Sequence, residues 1–192
     1  MRYSPEHKAE TRARILNAAA PMFRKQGFDG VSVDKLMDQA GLTRGGFYAH
    51  FKSKDELIEA ILKRNAGLVR MMDERDGSNG PELSREAYGI LRDYLAPENL
   101  EEIIEGCPMA TMPVDAARAS TKIRKAYGSR FRRLIEQLQR GSGKRQEDED
   151  TAIAVAVLAV GGILFARASA TKNEAAKVEA ACLKQIQQLM NS

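Results

Sequence analysis

Residues 43–54 bring together several side chains that can bind a polyanion. The guanidinium of Arg44 can form paired hydrogen bonds with O6 and N7 of a guanine. Tyr48 and His50 can donate to phosphate oxygens, and Lys54 adds a cation at a predicted helix N-terminus, where anions bind well. The segment is therefore a candidate nucleic-acid interface. The alternative is a helical packing unit in which these side chains are only core and surface.

Two adjacent glycines, Gly45 and Gly46, follow Arg44. Each glycine costs about 1 kcal/mol relative to alanine inside a helix, so a pair in a short helix needs a reason. One reason is that no side chain then holds the helix away from a groove in DNA.

These side chains need a helical scaffold, and apolar residues recur at helical spacing along nearly the whole chain. The first helix is predicted over 5–26, with Gly27 as its stop and Pro21 as the source of a kink. A second helix begins after Ser32, a good N-cap, and ends before Gly41. A third runs from Thr43 to about Phe51.

The two short helices, separated only by Gly41-Leu42, have the arrangement of a helix-turn-helix. In that motif the second helix lies in the major groove, and its first residues reach the base edges. Phe47 and Phe51, four residues apart, should pin this helix to the first two, which leaves Tyr48 and His50 on the exposed side.

The rest of the chain is also predicted to be helical. Ser53 and Glu56 form a capping box that begins a long fourth helix, which continues through Met72 towards a loop at 77–81. Further helices are predicted near 82–95, 97–105, 108–119, 121–140, 149–169 and 172–190, with a polar loop over 141–150. The predicted fold class is therefore all-α.

The sequence from Phe28 to Leu57, including Gly41-Leu42-Thr43-Arg44-Gly45-Gly46-Phe47-Tyr48-Ala49-His50-Phe51, resembles the TetR family of bacterial repressors. The resemblance covers about residues 10–60. It implies that Thr43, Tyr48, His50 and Lys54 contact phosphates and that Arg44 and Gly45 lie at bases. Pro21 departs from the family's uninterrupted first helix.

The resemblance also implies a helix-turn-helix DNA-binding domain over 1–54 and a helical ligand-binding and dimerisation domain over 55–192. The last two helices, about 149–190, would form the homodimer, and the small residues between Ala152 and Gly162 suit close helix approach. The alternative is burial of this hairpin within a monomer. A two-fold dimer predicts a near-palindromic operator in double-stranded DNA. A small-molecule effector would release the dimer from the operator, and the long fourth helix would be the lever that transmits the change to the DNA-binding domain.

The formal charge of +4 is unevenly distributed, because residues 1–54 carry ten Lys/Arg against five Asp/Glu. This local basicity favours nucleic acid as the partner. The histidines are His7 and His50, and the sequence shows neither a metal-spaced ligand cluster nor a phosphate-binding glycine loop. We therefore expect no enzyme activity, no cofactor and no metal.

The segment from Ala152 to Ala166 contains fifteen uncharged residues, fewer than the roughly 20 that a membrane span needs. We read it as a buried interface helix and expect no membrane partner. The N-terminal residues lack the apolar run of a signal peptide, and cysteines are few, so a cytoplasmic location is expected.

The stretch from Gly106 to Pro113 combines soft side chains with two prolines, which suggests an irregular pocket wall. Cys107, Met109 and Met112 are therefore candidate effector-site residues. Some members of the resembled family use a thiol in a comparable place to sense electrophiles or oxidants. The alternatives are control by Cys107 chemistry, control by a protein partner, or a Cys107 that is only a small buried hydrophobe.

Overall fold

A computed structural model describes residues 5–99, 106–140 and 147–191, and every regular element within them is helical. The predicted all-α class is confirmed. The helices, in chain order, are α1 (Pro5–Gln26), α2 (Val33–Gln39), α3 (Arg44–Phe47), α4 (Lys54–Leu62), α5 (Gly67–Asp73), α6 (Gly80–Tyr94), α7 (Pro108–Thr111), α8 (Pro113–Arg118), α9 (Thr121–Gln139), α10 (Glu147–Ala168) and α11 (Lys172–Asn191), with a 3₁₀ turn at Pro97–Asn99.

The chain forms two compact units, of which the first contains Met1–Arg64 and Met112–Tyr127. Its core includes Phe23 and Leu57 from α1 and α4. The segment 112–127 joins it through polar contacts as well: Asp115 accepts a hydrogen bond from the Phe28 amide at 3.3 Å. This packing unit is therefore larger than residues 1–54, and a DNA-binding domain over 1–54 stays a prediction.

Local signals in the first unit act as the sequence predicts. α1 ends where Gly27 adopts a φ of +74°, which a residue with a Cβ rarely adopts. The Ser32 side chain caps α2 by accepting from the Lys35 amide at 3.2 Å. Ser53 caps α4 by accepting from the Glu56 amide at 3.2 Å, while Glu56 accepts from the amide of Lys52 at 2.8 Å.

The predicted long fourth helix is wrong, because the chain forms α4 and α5 with a break between them. Ala66 is extended, and Gly67 has a φ of +56°. A Cβ on Gly67 would lie 2.7 Å from the Cα of Cys107, so this close approach requires a glycine. Arg130 also donates to the Ala66 carbonyl. The lever predicted as one continuous helix is therefore interrupted.

Further helix boundaries differ from the prediction. The helix expected over 108–119 is split at Met112, because Pro113 has no amide hydrogen and begins α8. The loop expected over 141–150 is helical from 147, where α10 begins, and its residues 141–146 lie outside the described chain. Residues 100–105 of the helix expected over 97–105 lie outside the described chain, and residues 97–99 form the 3₁₀ turn.

The second unit contains Asn65–Thr111 and Gly128–Ser192. Here α10 and α11 form the predicted hairpin, and α10 also contacts α7. A Cβ on Gly162 would lie 2.8 Å from Leu95 Cδ2 and 3.1 Å from the sulfur of Cys182. This glycine therefore permits a close approach within one chain, whereas the close approach that the small-residue run predicts between two chains stays a prediction.

One described helix, Glu149–Ala168, is long and apolar enough to cross a membrane by length and composition. The sequence argument that this segment is too short is therefore wrong, since the helix extends past the uncharged run at both ends. Its packing against α11 and α7 accounts for the apolar residues on one side of this helix.

Candidate nucleic-acid interface

The turn between α2 and α3 is tightly hydrogen-bonded. Gly41 adopts a φ of +65°, and the Leu42 amide donates to the Met37 carbonyl at 2.9 Å. Arg14 on α1 donates to the carbonyl of Ala40 at 2.8 Å, which holds the end of α2 against α1. The helix-turn-helix geometry is thus held by hydrogen bonds to backbone carbonyls, one from a backbone amide and one from the Arg14 side chain.

Helix α3 is anchored by aromatic packing. Phe47 is fully buried and Phe51 nearly so, with their ring centroids 5.7 Å apart. The guanidinium carbon of Arg12 lies 4.5 Å from the centroid of Phe51, a cation–π contact that ties α1 to the same cluster. The predicted pinning role of the two phenylalanines is confirmed.

The predicted base-reading residues, Arg44 and Gly45, share one exposed surface with Thr43, a predicted phosphate contact. Thr43 begins α3 without a side-chain cap bond, and Arg44 and Gly45 are exposed beside it. A Cβ on Gly45 would meet nothing within 4 Å, whereas one on Gly46 would lie 3.6 Å from Met37 Cε. The fold therefore has room for a larger side chain at position 45.

Arg44 is not fully available in the free protein. Its Nε lies 3.1 Å from an oxygen of Asp34, and both side chains are exposed. An exposed ion pair of this kind contributes about 0–1 kcal/mol, so a guanine edge or a phosphate could replace Asp34 at little cost. The pair orients the guanidinium alongside α2 and α3.

His50 differs from its predicted environment. Tyr48 is 59% exposed, as predicted, but His50 is only half-exposed, and its buried Nδ1 has no partner among the described residues. Burial lowers the pKa of His50, and the nearby charges of Lys8, Arg12 and His7 lower it further. The imidazole is therefore neutral at neutral pH in a positively charged environment.

A groove of about 500 Å³ runs beside His50 on the same unit. It is lined by His7, Lys8 and Thr11 from α1, and by Leu42, Thr43, Gly46, Ala49 and His50. The sequence analysis missed Lys8 and Thr11 as interface candidates. Lys8 lies seven residues before Ile15, and Thr11 lies four residues before it. This spacing does not by itself indicate which other helix that side of α1 faces.

Lys54 is half-buried, and its ammonium donates to the carbonyls of Phe28 (2.8 Å) and Val31 (3.3 Å). This contact closes the loop between α1 and α2. A phosphate contact by Lys54 stays a prediction, and the N-terminus of α4 beside it is the alternative donor.

The predicted effector residues fall into different units. Met112 is fully buried in the core of the first unit, whereas Cys107 and Met109 are buried in the second. The hydroxyl of Tyr94 donates to the Cys107 sulfur at 3.3 Å. That these three residues line one effector pocket stays a prediction.

Among the described residues no group of three or more His, Cys, Asp or Glu side chains is placed to hold a metal ion.

A protein-family comparison agrees with this helix-turn-helix. The family model described as "Bacterial regulatory proteins, tetR family" matches residues 15–61. The transcriptional repressor Rv1474c of Mycobacterium tuberculosis is 30% identical over 93 residues, which are 48% of this chain and 45% of that protein. The transcriptional regulator TtgR of Pseudomonas putida is 40% identical over 62 residues, 32% of this chain and 30% of TtgR.

The chain thus spans half or less of the length of these curated relatives. Solved structures extend the likeness of fold. The reduced form of NemR from E. coli has a TM-score of 0.71 at 20% identity, with 93% of this chain and 96% of NemR covered. A TetR-family regulator from Cytophaga hutchinsonii has a TM-score of 0.71 at 18% identity, covering 100% and 97%.

Proposed function

Since this chain belongs to the TetR family of bacterial regulatory proteins, we propose that it is a sequence-specific DNA-binding transcriptional regulator. It acts as a repressor that leaves a near-palindromic operator when a small molecule binds its C-terminal helices. The observation that carries the DNA-binding part is the exposed surface of Thr43, Arg44 and Gly45 on a helix anchored by Phe47 and Phe51.

Each part of this surface has a role in the proposal. Arg44 exchanges Asp34 for the O6 and N7 of a guanine. Gly45 lets the backbone approach the base edges. Tyr48 and His50 contact phosphates, and the cations around the groove attract the backbone regardless of sequence. A phosphate beside His50 would counteract the nearby positive charges and raise its pKa again.

Dimerisation is supported by an apolar face of α10. One side of this helix packs on α11 and α7, while Val157 and Phe165 are 55% and 70% exposed. Gly161 lies between them at helical spacing, and a Cβ there would meet nothing within 4 Å. We propose that a second copy of the chain covers this face, which places two α3 helices on one operator.

Control by the thiol of Cys107 is the less favoured alternative. The side chain is fully buried, and it packs directly on Gly67. A thiol that solvent cannot reach reacts slowly with electrophiles.

Selection of genomic DNA fragments from the source organism by the purified protein tests the function. We expect enrichment of one or a few sites, with footprints that show two related half-sites about one helical turn apart. Uniform recovery of fragments at physiological salt would contradict sequence-specific binding.

A further inference from the structure

A small pocket in the second unit lies between α6, the 3₁₀ turn and α11, with a volume of about 260 Å³. Its walls are mainly apolar and include Leu95, Pro97 and Leu183, while Arg92 and Glu98 contribute charged groups. The remaining charged residue of its lining is Glu179 on α11. All of these residues belong to one chain, so the pocket does not require a second copy.

Glu179 is buried in an unusual way. Its side chain is only 2% exposed, and both carboxylate oxygens are buried without a hydrogen-bond partner among the described residues. Buried polar groups in proteins nearly always have a partner, and a buried charge without one is costly. The carboxylate therefore needs a hydrogen-bond donor that the described residues do not supply.

The neighbouring charges do not satisfy it. Arg92, the cation of the described lining, is exposed, and its guanidinium pairs with Asp93 at 2.9 Å. Burial raises the pKa of Glu179, and the negative charge of Glu98 raises it further. The negative charge of the Glu179 carboxylate and its missing hydrogen bonds both favour a positively charged donor in the pocket.

We propose that this pocket binds a small organic cation, whose ammonium group donates to the carboxylate of Glu179 while its hydrocarbon part contacts Leu95 and Leu183. The volume suits a ligand of modest size. This proposal names the chemical class of the effector in the function proposed above. Only the effect of the ligand on DNA binding rests on that proposed function, and binding of the ligand to the pocket does not.

Calorimetric titration of the purified chain with primary amines (benzylamine, phenethylamine and hexylamine), in the absence of DNA, tests the site. Benzyl alcohol is the neutral counterpart of benzylamine. We expect the amines to bind the wild type. Benzyl alcohol should bind the wild type at least about tenfold more weakly than benzylamine, and the amines should bind Glu179→Gln at least about tenfold more weakly, because in both cases a charge-assisted bond is lost. Glu136→Gln, which changes an exposed carboxylate on α9, should bind like the wild type.

Circular dichroism establishes that Glu179→Gln is folded, which is expected because the change removes a buried charge and preserves side-chain size. The ¹³C chemical shift of the Glu179 carboxyl group gives a second readout and should move towards the ionised form when the amine binds. Equal affinity for amine and alcohol, no effect of Glu179→Gln, or no binding of any amine at millimolar concentration would overturn the proposal.

The two proposals can fail separately. If amines bind through Glu179 but do not release DNA, the site stands and its effector role is overturned. If the protein selects no DNA but binds amines, the proposed function fails and the site stands.

Discussion

The contribution of Gly45 can be separated from the stability of the fold, because a Cβ there meets nothing within 4 Å in the free protein. We predict that Gly45→Ala raises the free energy of unfolding by up to about 1 kcal/mol, through helix propensity. The same change should weaken operator binding by about tenfold, the scale of one lost base contact. Urea unfolding and fluorescence anisotropy measure the two effects.

Gly89→Ala is the matched control, because a Cβ at this position on α6 also meets nothing within 4 Å. It should raise stability and leave DNA affinity unchanged. Wild-type affinity in Gly45→Ala would show that Gly45 is not needed for close approach.

Burial of Glu179 predicts a pH dependence of stability. A raised pKa means that the folded state holds the proton more tightly than the unfolded chain, whose pKa is near 4.5. This contribution is therefore fully present below that value and is lost as pH rises towards the folded pKa. The groups near Glu179 include Glu98, Arg92 and the Cys182 thiol. Burial raises the pKa of Cys182, and the charge of Glu179 raises it further.

We expect Glu179→Gln to gain stability relative to the wild type as the pH rises above the unfolded-state pKa of Glu179. Urea midpoints of both proteins measure this difference without ligand, and Glu136→Gln should run parallel to the wild type. A difference that does not change with pH would contradict an uncompensated acid at position 179.

At the level of elements, the break between α4 and α5 depends on Gly67. Alanine there must adopt a positive φ, which costs about 1–2 kcal/mol before any clash is counted. Its Cβ would also lie 2.7 Å from the Cys107 backbone. We predict that Gly67→Ala destabilises the protein by about 2 kcal/mol or more, as measured by urea unfolding.

Gly128→Ala on α9 is the control, since a Cβ there has open space and helical backbone. It should be neutral or stabilising. Equal stability of Gly67→Ala and Gly128→Ala would show that the break does not depend on a glycine.

These elements also show what sequence can predict. Ser32 and Ser53 act within four residues of their own position, so local chemistry identified both helix starts. The break before Gly67 was missed, and the close contact that requires a glycine there is with Cys107, which lies 40 residues away in the sequence. Glu179 was missed for a similar reason. On α11 it looks like a surface acid, but α11 packs against elements distant in the sequence, among them α6 and the 3₁₀ turn, and Glu179 is buried.

The site was partly predictable for the same reason. Arg44 and Phe47 lie on one short helix and Tyr48 caps its C-terminal end, so their local spacing separates buried from exposed positions. Lys8 and Thr11 reach the groove from α1 across more than 30 residues of sequence, which periodicity does not reveal.

At the scale of the whole molecule, the exposed face of α10 should control the oligomeric state. We predict that Val157→Glu gives a monomer in sedimentation velocity, because a charge would be buried in the dimer interface. DNA affinity should fall with it, since each α3 would bind alone. Val114→Glu is the control, as Val114 on α8 is 59% exposed against 55% for Val157. A monomeric wild type, or a dimeric Val157→Glu, would contradict the interface.

The central claim is that Arg44 reads DNA sequence, and fluorescence anisotropy on the selected operator across a salt series tests it most directly. Arg70→Ala is the matched control, because Arg70 is likewise exposed and ion-paired, with Glu74 at 2.9 Å. We predict that Arg44→Ala loses about 1–3 kcal/mol of operator binding and discriminates less against unrelated DNA, while Arg70→Ala binds like the wild type. Equal operator affinity and equal salt dependence of the two variants would contradict the account.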